Sequence, residues 1–354
     1  MSKKPKYKTA LIGTGRIGFT LGFDRKREQP ASHTMALRKN RRIKFVAACD
    51  NNQPRLDHFH RFVKKTITFA DCSNMFETDK FDIIVIAVNE DSHLDVTLDA
   101  IRAKPKLIIL EKPVALCVAD ALKIQEEAEK YKIPILVNHE RRFAQDYKIA
   151  KKYIDYIGEL ISVNARLDSG LRVYTPNEEA SGAYSLLHDG THLVDIVSYL
   201  LEDENDLSDF ESKILYNMKL NSIVFDKEKS DVVRFVSASF ESLKCPNVNI
   251  NISGKSKFFG FEIDIIGTLG RIRIGNGIFE FYKREESKLY TGFYSLEKDL
   301  KVKRPKKTKY FSNMVKNAVD FLDGKAELKS NLQTGINTLR ILEDIKNQLK
   351  NELL

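Results

Sequence analysis

Two short groups of polar residues in this sequence contain side chains that can hold and move protons. The first, Glu111-Lys112-Pro113, follows the apolar run 107–110. The second, residues 188–192 (HDGTH), begins 77 residues after Glu111 and opens the apolar stretch 193–201. Lysine, histidine and carboxylate side chains are common general acids and bases, so both groups are candidate catalytic sites.

A glycine-rich turn near the N-terminus, Gly13-Thr14-Gly15-Arg16-Ile17-Gly18, follows the short apolar run 9–12 and precedes apolar residues that predict the start of a helix. This spacing between a strand and a helix is typical of dinucleotide sites. The first glycine permits the tight turn, and the second lets a pyrophosphate approach the backbone at the helix N-terminus. We therefore predict that Gly13, Gly15, Arg16, Ile17 and Gly18 bind a dinucleotide.

Asp50 ends the apolar run 45–49, where a second strand should stop. A carboxylate at this position accepts hydrogen bonds from the adenosine ribose and repels a 2′-phosphate, which favours NAD over NADP. The neighbouring Asn51 adds no positive charge. Arg16 and Arg55 are the nearest cations in the sequence that could reverse the preference.

The distance from the glycine turn to Asp50 is unusually long. Asp50 comes 32 residues after Gly18, compared with roughly 20 in the common pattern. The segment 22–32 (GFDRKREQPAS) is charged and contains a proline, so we interpret it as an inserted loop that accounts for the excess.

The histidine group has helical spacing. His188, His192 and Asp195 are related as i, i+4 and i+7, which places them on one helical stripe beside an apolar stripe that should pack on a sheet. A neutral imidazole at His192 can accept a hydroxyl proton, with Asp189 or Asp195 fixing its tautomer. A histidine pair with a nearby carboxylate also suits a metal, but the sequence identifies no further ligand, and we predict no metal.

Strands and helices alternate over about the first 135 residues. The predicted strands are 9–12, 44–49, 67–69, 83–88, 107–110 and 135–137, with helices such as 92–103 and 119–131 between them. This alternation indicates a doubly wound parallel sheet, whose ligands bind beyond the carboxyl ends of the strands. Residues predicted to lie at such ends and to contact the cofactor are Gly13, Asp50, Asn89, Glu111 and Lys112.

The pattern changes after about residue 155. Alternating runs at 161–166, 232–240, 248–252, 261–266 and 271–274 predict a mostly antiparallel, open sheet with one packed face. Helices are predicted at 143–156, from 188, at 310–322 and at 334–349. We therefore expect an α/β domain at 1–138 and an α+β domain for substrate binding and oligomerisation at 139–354.

Composition excludes several classes of protein. The 354 residues are 42% hydrophobic and carry a net charge of +9, and no apolar run approaches the roughly 18 residues of a membrane span. The basic run 301–309 lacks the aromatic residues of a nucleic-acid site, so we interpret it as a solvated loop. The four cysteines lack metal-type spacing. We expect a cytoplasmic protein with reduced thiols and no nucleic-acid or membrane partner.

The combined motifs resemble the Gfo/Idh/MocA family of glucose–fructose oxidoreductases, inositol dehydrogenases and rhizopine catabolism proteins. The resemblance covers essentially the whole chain. Its pieces occur in order: GTGRIG, Asp50, VNEDSH with His93, LEKP, ERRF at 140–143 and HDGTHLVD at 188–195. It implies NAD(P)-dependent hydride transfer at a carbinol carbon of a sugar, cyclitol or sugar nucleotide.

The resemblance also implies residue roles. Lys112 contacts the substrate hydroxyl and the cofactor ribose, Pro113 follows a cis peptide bond, and His192 relays the proton. The family commonly has Asp four residues before this histidine, whereas this chain has His188 there, so the group that orients the substrate is open between His188 and Asp189. Family members often associate through the open sheet, which implies a homodimer or homotetramer.

Four further residues are weaker candidates. Arg141 could bind an anionic substrate group or pair with nearby acids. Arg172 and Tyr174 lie in the segment 169–181, which we expect to be a loop that selects the substrate. His93 either contacts the cofactor or stabilises local structure.

Two other functions are compatible with the same motifs. A glycosidase can use NAD transiently, oxidising and then reducing one sugar carbon. A catalytically silent NAD-binding regulator is the other, although the presence of both Lys112 and His192 argues against it.

Overall fold

The computed structural model describes residues 6–176, 184–203 and 214–353. The described chain forms two compact units, one comprising 1–144 and 307–336 and the other 145–306 and 337–354. Residues 307–336 thus belong to the first unit, whereas the predicted boundary at 138/139 placed them in the second domain.

The described α-helices range from 4 to 22 residues in length. They are α1 (His33–Lys39), α2 (Gln53–Phe62), α3 (Cys72–Thr78), α4 (His93–Arg102), α5 (Val118–Tyr131), α6 (Glu140–Phe143), α7 (Gln145–Tyr153), α8 (Ser185–His188), α9 (Gly190–Leu201), α10 (Tyr310–Leu322) and α11 (Leu332–Leu353). Short 3₁₀ turns occupy Thr20–Phe23, Glu90–Ser92 and Ile154–Tyr156.

The first unit is built on a parallel sheet. Its described strands are β1 (Tyr7–Ile12), β2 (Ile43–Cys49), β3 (Ile67–Phe69), β4 (Ile83–Ile86), β5 (Leu107–Leu110) and β6 (Ile135–Val137), in the order β3-β2-β1-β4-β5-β6. The central strands are fully buried because they are apolar on both faces, as expected for a parallel sheet covered on each side by helices. The predicted doubly wound α/β fold is confirmed.

One face of this sheet is covered by helices from distant parts of the sequence. Phe311, Met314 and Val315 of α10 join the core formed by Leu37 of α1 and Ile109 of β5. Arg42 strengthens the connection, since its guanidinium donates two hydrogen bonds of 2.8 Å to Asp323 just after α10.

The second unit contains a mostly antiparallel sheet. Its described strands are β7 (Leu160–Asp168), β8 (Tyr216–Phe225), β9 (Val233–Glu241), β10 (Val248–Ser253), β11 (Gly260–Gly267), β12 (Gly270–Gly275), β13 (Phe279–Glu286) and β14 (Tyr294–Lys298). The order is β14-β13-β12-β11-β7-β10-β9-β8, and β7 pairs with β10 in parallel. Burial alternates along β9 and β11, so one face packs inward as predicted.

Candidate active site

The strands of the first unit end in register at one edge of the sheet. Ile12 pairs with Cys49 on one side and with Ile86 on the other, and Leu110 pairs with both Ile86 and Val137. The next residue along each strand therefore lies at the same edge. Those residues are Gly13, Asp50, Ala87, Glu111 and Asn138, which brings the predicted cofactor and catalytic motifs of this unit together.

The glycine turn has the close packing that its sequence predicts. Gly13 has a φ of +94°, and a Cβ there would lie 2.3 Å from the carbonyl oxygen of Ala87. A Cβ on Gly18 would lie 2.0 Å from the carbonyl oxygen of Gly13. Gly15 is more open, since its nearest neighbour would be a guanidinium nitrogen of Arg55 at 3.7 Å. The turn thus leaves backbone accessible beside a cation, which fits a pyrophosphate.

The helix predicted after the turn is interrupted. The amide of Phe19 donates to the carbonyl of Gly15, but residues 20–23 form a 3₁₀ turn and the chain then leaves the helical path. It returns at α1, where the amides of His33 and Thr34 donate to the carbonyls of Ile17 and Gly18 at 3.0 and 2.9 Å. The chain thus starts a helix at the turn, leaves it through the 22–32 segment that the sequence analysis interpreted as an inserted loop, and resumes it at α1.

Asp50 is buried and already holds the turn. Its carboxylate accepts hydrogen bonds from the backbone amide of Thr14 at 2.7 Å and the Thr14 hydroxyl at 2.9 Å. The other oxygen accepts from the amide of Asn52 at 3.0 Å. Each carboxylate oxygen has two lone pairs, so the oxygen that accepts from Asn52 can also accept from a ribose hydroxyl. Asn51 is exposed beside it, as are Arg16 and Asn89.

Glu111 is the centre of a buried hydrogen-bond network. Its Oε1 accepts from Nε2 of His33 and from Nδ2 of Asn138, both at 2.6 Å. Burial raises the pKa of the Glu111 carboxyl, but the bonds from His33 and Asn138 and the charge of Lys112 outweigh burial, so its pKa is lowered overall. The carboxylate is therefore ionised and fixed in place at the base of Lys112.

Removing this carboxylate should destabilise the protein in a pH-dependent way. A lowered pKa means that the stabilisation is present above the unfolded pKa of about 4.3 and is lost as pH falls through the lower folded value. We expect Glu111→Ala to cost about 3 kcal/mol near pH 7, because two buried donors lose their acceptor. Urea unfolding followed by circular dichroism at neutral and acidic pH measures the difference.

The matched control is Glu129→Ala, an exposed carboxylate on α5 that accepts from Gln125 at 3.0 Å. This change should stay within about 0.5 kcal/mol of the parent at both pH values. An equal loss for Glu111→Ala at neutral pH and below about pH 3 would contradict the ionised assignment.

Lys112 is partly exposed and lies between two fixed residues. Glu111 precedes it, and Pro113 follows it through a cis peptide bond, as the family resemblance implied. The Pro113 carbonyl lies 2.6 Å from Nδ1 of His93, and Nε2 of His93 lies 3.3 Å from the carbonyl of Val88. The backbone on both sides of the lysine is therefore held rigidly.

His93 is a structural residue. Its ring is fully buried, and burial lowers its pKa against the raising effects of the Pro113 carbonyl and Glu111. Because both ring nitrogens face backbone carbonyls, the ring positions the turn at Pro113. These contacts fit the second alternative, local stabilisation, and the contact with the cofactor stays a prediction.

Glu140 is a titratable group near Lys112 that the sequence did not single out as catalytic. Burial raises the pKa of its carboxyl, and the charge of Glu111 adds to the effect, while Arg141, Lys112 and Arg27 oppose it. Arg141 has a guanidinium nitrogen 3.6 Å from Glu140 and is mostly buried. His33, Asn138 and Glu140 were missed as site residues. A polar residue directly after the predicted strand 135–137 was the available signal for Asn138.

In the second unit the histidine group spans a helix junction. His188 ends α8, Asp189 lies at the junction, and the amide of His192 in the first turn of α9 donates to the Asp189 carbonyl at 3.0 Å. His188, Asp189 and His192 are partly exposed, whereas Asp195 is buried and accepts from the Thr338 hydroxyl at 3.4 Å. The predicted stripe of His188, His192 and Asp195 therefore separates into two accessible histidines and one buried carboxylate.

The apolar side of α9 anchors this group. Leu193, Val194, Ile196 and Val197 have no exposed surface. A Cβ on Gly190 would lie 3.1 Å from Ile252 of β10, so glycine permits close packing on the sheet. The helix cannot rotate without exposing these residues, which fixes the direction of His192.

Tyr174 and Arg172 differ from the predicted loop. Tyr174 is fully buried, its ring meets that of Tyr184 edge to face at 5.6 Å, and its backbone pairs with Val233. The ring thus packs in the core, and the role of Tyr174 in substrate selection stays a prediction. Arg172 is partly buried, and its carbonyl accepts from the Ser185 amide at 2.8 Å. Residues 177–181 of the predicted loop lie outside the described residues.

The described residues contain neither a membrane-spanning helix nor a group of metal ligands. Within 6–176, 184–203 and 214–353, no helix is long and apolar enough to cross a membrane. The same ranges contain no group of three or more His, Cys, Asp or Glu residues arranged to hold a metal ion. All four cysteines are free thiols.

Comparison with known proteins shows what the chain is similar to. Residues 7–139 match the profile of the GFO_IDH_MocA oxidoreductase family, NAD-binding Rossmann fold. The rhizopine catabolism protein MocA of Rhizobium meliloti is 26% identical over 144 residues, 40% of each chain. The glucose-6-phosphate 3-dehydrogenase of Bacillus subtilis is 25% identical over 290 residues, 78% of this chain and 76% of the relative.

A solved structure extends the likeness of fold to both units. The WlbA dehydrogenase of Bordetella pertussis, in complex with NADH and UDP-GlcNAcA, has a TM-score of 0.73 at 16% identity and covers 98% of this chain and 97% of its own. Residues 7–139 therefore form the NAD-binding Rossmann domain of a Gfo/Idh/MocA-type oxidoreductase.

Proposed function

We propose that this oxidoreductase is an NAD-dependent dehydrogenase that acts on a CH–OH carbon of a sugar, cyclitol or sugar nucleotide. The observation that carries the proposal is the position of Lys112, at the edge of the sheet that also bears the glycine turn and Asp50. The relative named glucose-6-phosphate 3-dehydrogenase supports a sugar substrate. Bound NAD would supply the hydride acceptor at nicotinamide C4.

The chain's own residues must orient the substrate and handle one proton. Lys112 is a cation with three N–H donors, held by the fixed Glu111 and Pro113, and would bind the reacting hydroxyl oxygen through Nζ. As the hydride departs, the hydroxyl proton must leave, and we assign its acceptance to the imidazole of His192. His188 and Asp189, one helical turn earlier, would bind other substrate hydroxyls.

Arg141 and Arg172 are proposed substrate contacts of lower importance. Arg141 lies beside Glu140 near Lys112, so an anionic substituent on the substrate would meet positive charge there. The partly exposed His188 and Asp189 have side-chain hydrogen-bond acceptors and are better suited to hydroxyl groups.

The function is tested by incubating the full-length protein with NAD and a panel of polyols: free sugars, sugar phosphates, inositols, uronates and nucleotide sugars. A dehydrogenase accumulates NADH in proportion to the oxidised product. Release of sugar from a glycoside without NADH accumulation would replace the proposal with NAD-dependent hydrolysis. Binding of NAD without turnover of any member of the panel would replace it with a regulatory role.

Asp50 should set the preference for NAD over NADP. Asp50→Asn keeps an acceptor for Thr14 but removes the negative charge that repels a 2′-phosphate, and Arg55 lies beside the turn to attract one. We expect NAD affinity to fall by roughly tenfold or more, since hydrogen bonds to charged groups contribute about 1.5–3 kcal/mol. NADP affinity should rise in the same variant.

Titration calorimetry with both cofactors measures this change. Asp57→Ala, which removes an exposed carboxylate that accepts from Gln53 at 2.7 Å on α2, is the control and should leave both affinities unaltered. Tighter binding of NADP than NAD by the parent protein would overturn the assignment of Asp50.

We also propose that the protein works as a cytoplasmic homodimer or homotetramer assembled through the open sheet of the second unit. Strand β14 and the connection that precedes it place Leu296, Tyr290 and Phe293 on the surface, with exposed fractions of 46%, 66% and 67%. Light scattering after size-exclusion chromatography determines the mass in solution, and a monomer at micromolar concentration would contradict this proposal.

A further inference from the structure

Two cysteines lie together at the edge of the sheet that carries the glycine turn. Cys49 is the last residue of β2 and Cys72 the first residue of α3, and their sulfur atoms are 3.2 Å apart within a hydrogen bond. Cys49 is buried, with 2% of its surface exposed, whereas Cys72 is partly exposed. Cys72 is therefore the sulfur of the pair that a small solute can reach.

The hydrogen bond distinguishes the two thiols chemically. It lowers the pKa of Cys72 and outweighs the raising effects of burial and of Asp71. The same bond, together with burial, raises the pKa of Cys49. The accessible sulfur is therefore the better nucleophile, and the buried sulfur keeps its proton.

Cys49 is also connected directly to the cofactor turn. Its carbonyl oxygen accepts the amide proton of Gly13 at 2.8 Å. The next residue, Asp50, binds Thr14 through its carboxylate and donates its amide to the carbonyl of Phe69 at 3.1 Å. A displacement of Cys49 would therefore change the position of both Gly13 and Asp50.

We propose that Cys49 and Cys72 form a reversible dithiol–disulfide site, and that the oxidised form binds NAD more weakly. The inference rests on the NAD-binding turn and is independent of the proposed substrate. The oxidant is hydrogen peroxide. The Cys72 thiolate attacks one peroxide oxygen, which forms a sulfenic acid and releases hydroxide. Cys49 then attacks the sulfenic sulfur, its proton leaves with the hydroxyl group as water, and the S–S bond forms.

Disulfide formation is a two-electron oxidation by one molecule of hydrogen peroxide. Two thiols lose two electrons and two protons, and one peroxide becomes two waters. Bond formation requires the sulfurs to approach to about 2.05 Å, which is roughly 1 Å closer than in the dithiol. Because the Cys49 backbone holds Gly13, we expect this movement to lower NAD affinity by at least about fivefold.

Linkage gives a second, reciprocal expectation. If the disulfide weakens NAD binding, then bound NAD must disfavour the disulfide by the same factor. In a glutathione redox buffer, saturating NAD should therefore shift the dithiol–disulfide equilibrium towards the dithiol. This shift is independent of catalytic turnover.

The experiment uses the full-length protein and hydrogen peroxide, with tryptic mass spectrometry under non-reducing conditions. The expected product is a disulfide that links peptide 45–55 to peptide 66–80 and is released by dithiothreitol. The number of thiols that react in denaturant should fall from four to two. Calorimetry should show weaker NAD binding after oxidation and full recovery after reduction.

Control variants separate the site from general oxidation. Cys72→Ser and Cys72→Ala should form no linked peptide and keep their NAD affinity after peroxide, whereas Cys117→Ser should behave like the parent. Oxidation of Cys72 to sulfinic acid without a linked peptide would overturn the disulfide site. A disulfide that forms with unchanged NAD affinity would overturn its effect on the cofactor. Neither result depends on whether a polyol is turned over.

Discussion

Lys112→Ala should lower kcat by about 10²-fold or more, the scale expected when acid–base and orienting assistance is lost. Lys112 is partly exposed at the end of β5, and its side chain is not part of the core. NAD affinity and the melting temperature should therefore change little. Steady-state kinetics, NAD calorimetry and thermal unfolding of the same preparation measure the three quantities.

Lys106→Ala is the matched control for this prediction. Lys106 immediately precedes the same strand at its opposite end and forms a largely exposed ion pair of 2.9 Å with Asp82. Exposed pairs contribute about 0–1 kcal/mol, and this one is remote from the site edge, so kcat should stay near the parent value. Near-normal turnover by Lys112→Ala would remove Lys112 from the mechanism.

His192→Asn should cause a loss of similar size, about 10²-fold or more in kcat, with NAD affinity retained. Asparagine approximates the shape of the ring but cannot accept and return a proton near neutral pH, whereas imidazole has a reference pKa of about 6.5. Because the apolar side of α9 stays buried, the variant should fold. Rates measured across the pH range should lose the ionisation assigned to the imidazole.

The neighbouring histidine provides the comparison. His188→Ala should raise KM at least as much as it lowers kcat, since we assign His188 to substrate orientation. His188→Asp restores the residue that the family commonly has and should retain partial activity. If His192→Asn kept most of its turnover while His188→Ala lost it, the two roles would have to be exchanged.

Apolar runs in the sequence predicted several strands of the parallel sheet and the helix α10. Four predicted elements have the observed bounds: the strands at 67–69, 107–110 and 135–137 and the helix at 310–322. In the last two of these strands, an apolar run ends at a polar residue where the strand ends. Strands β8, β13 and β14 were not predicted. They are rich in polar residues and partly exposed on both faces, so backbone pairing, which leaves little pattern in the sequence, defines them.

Some residues of the candidate site could be predicted from the sequence and others could not. Gly13, Asp50 and Glu111 were predicted because parallel strands bring their carboxyl ends to one edge, a rule that needs only the strand positions. The bond from His33 to Glu111 could not be predicted, since it depends on how the inserted 22–32 segment returns to the helix. Tyr174 and His93 were assigned to ligands because sequence alone does not show that their rings are buried.

In the proposed reaction a hydride passes from a carbinol carbon of the substrate to NAD. Isotope transfer measures this step. The best substrate from the polyol panel is prepared with deuterium on the oxidised carbon and incubated with NAD and the full-length protein. We expect reduced cofactor that carries one deuterium at nicotinamide C4, in an amount equal to that of the oxidised product. Oxidised or hydrolysed product with no deuterium in the accumulated cofactor would contradict it.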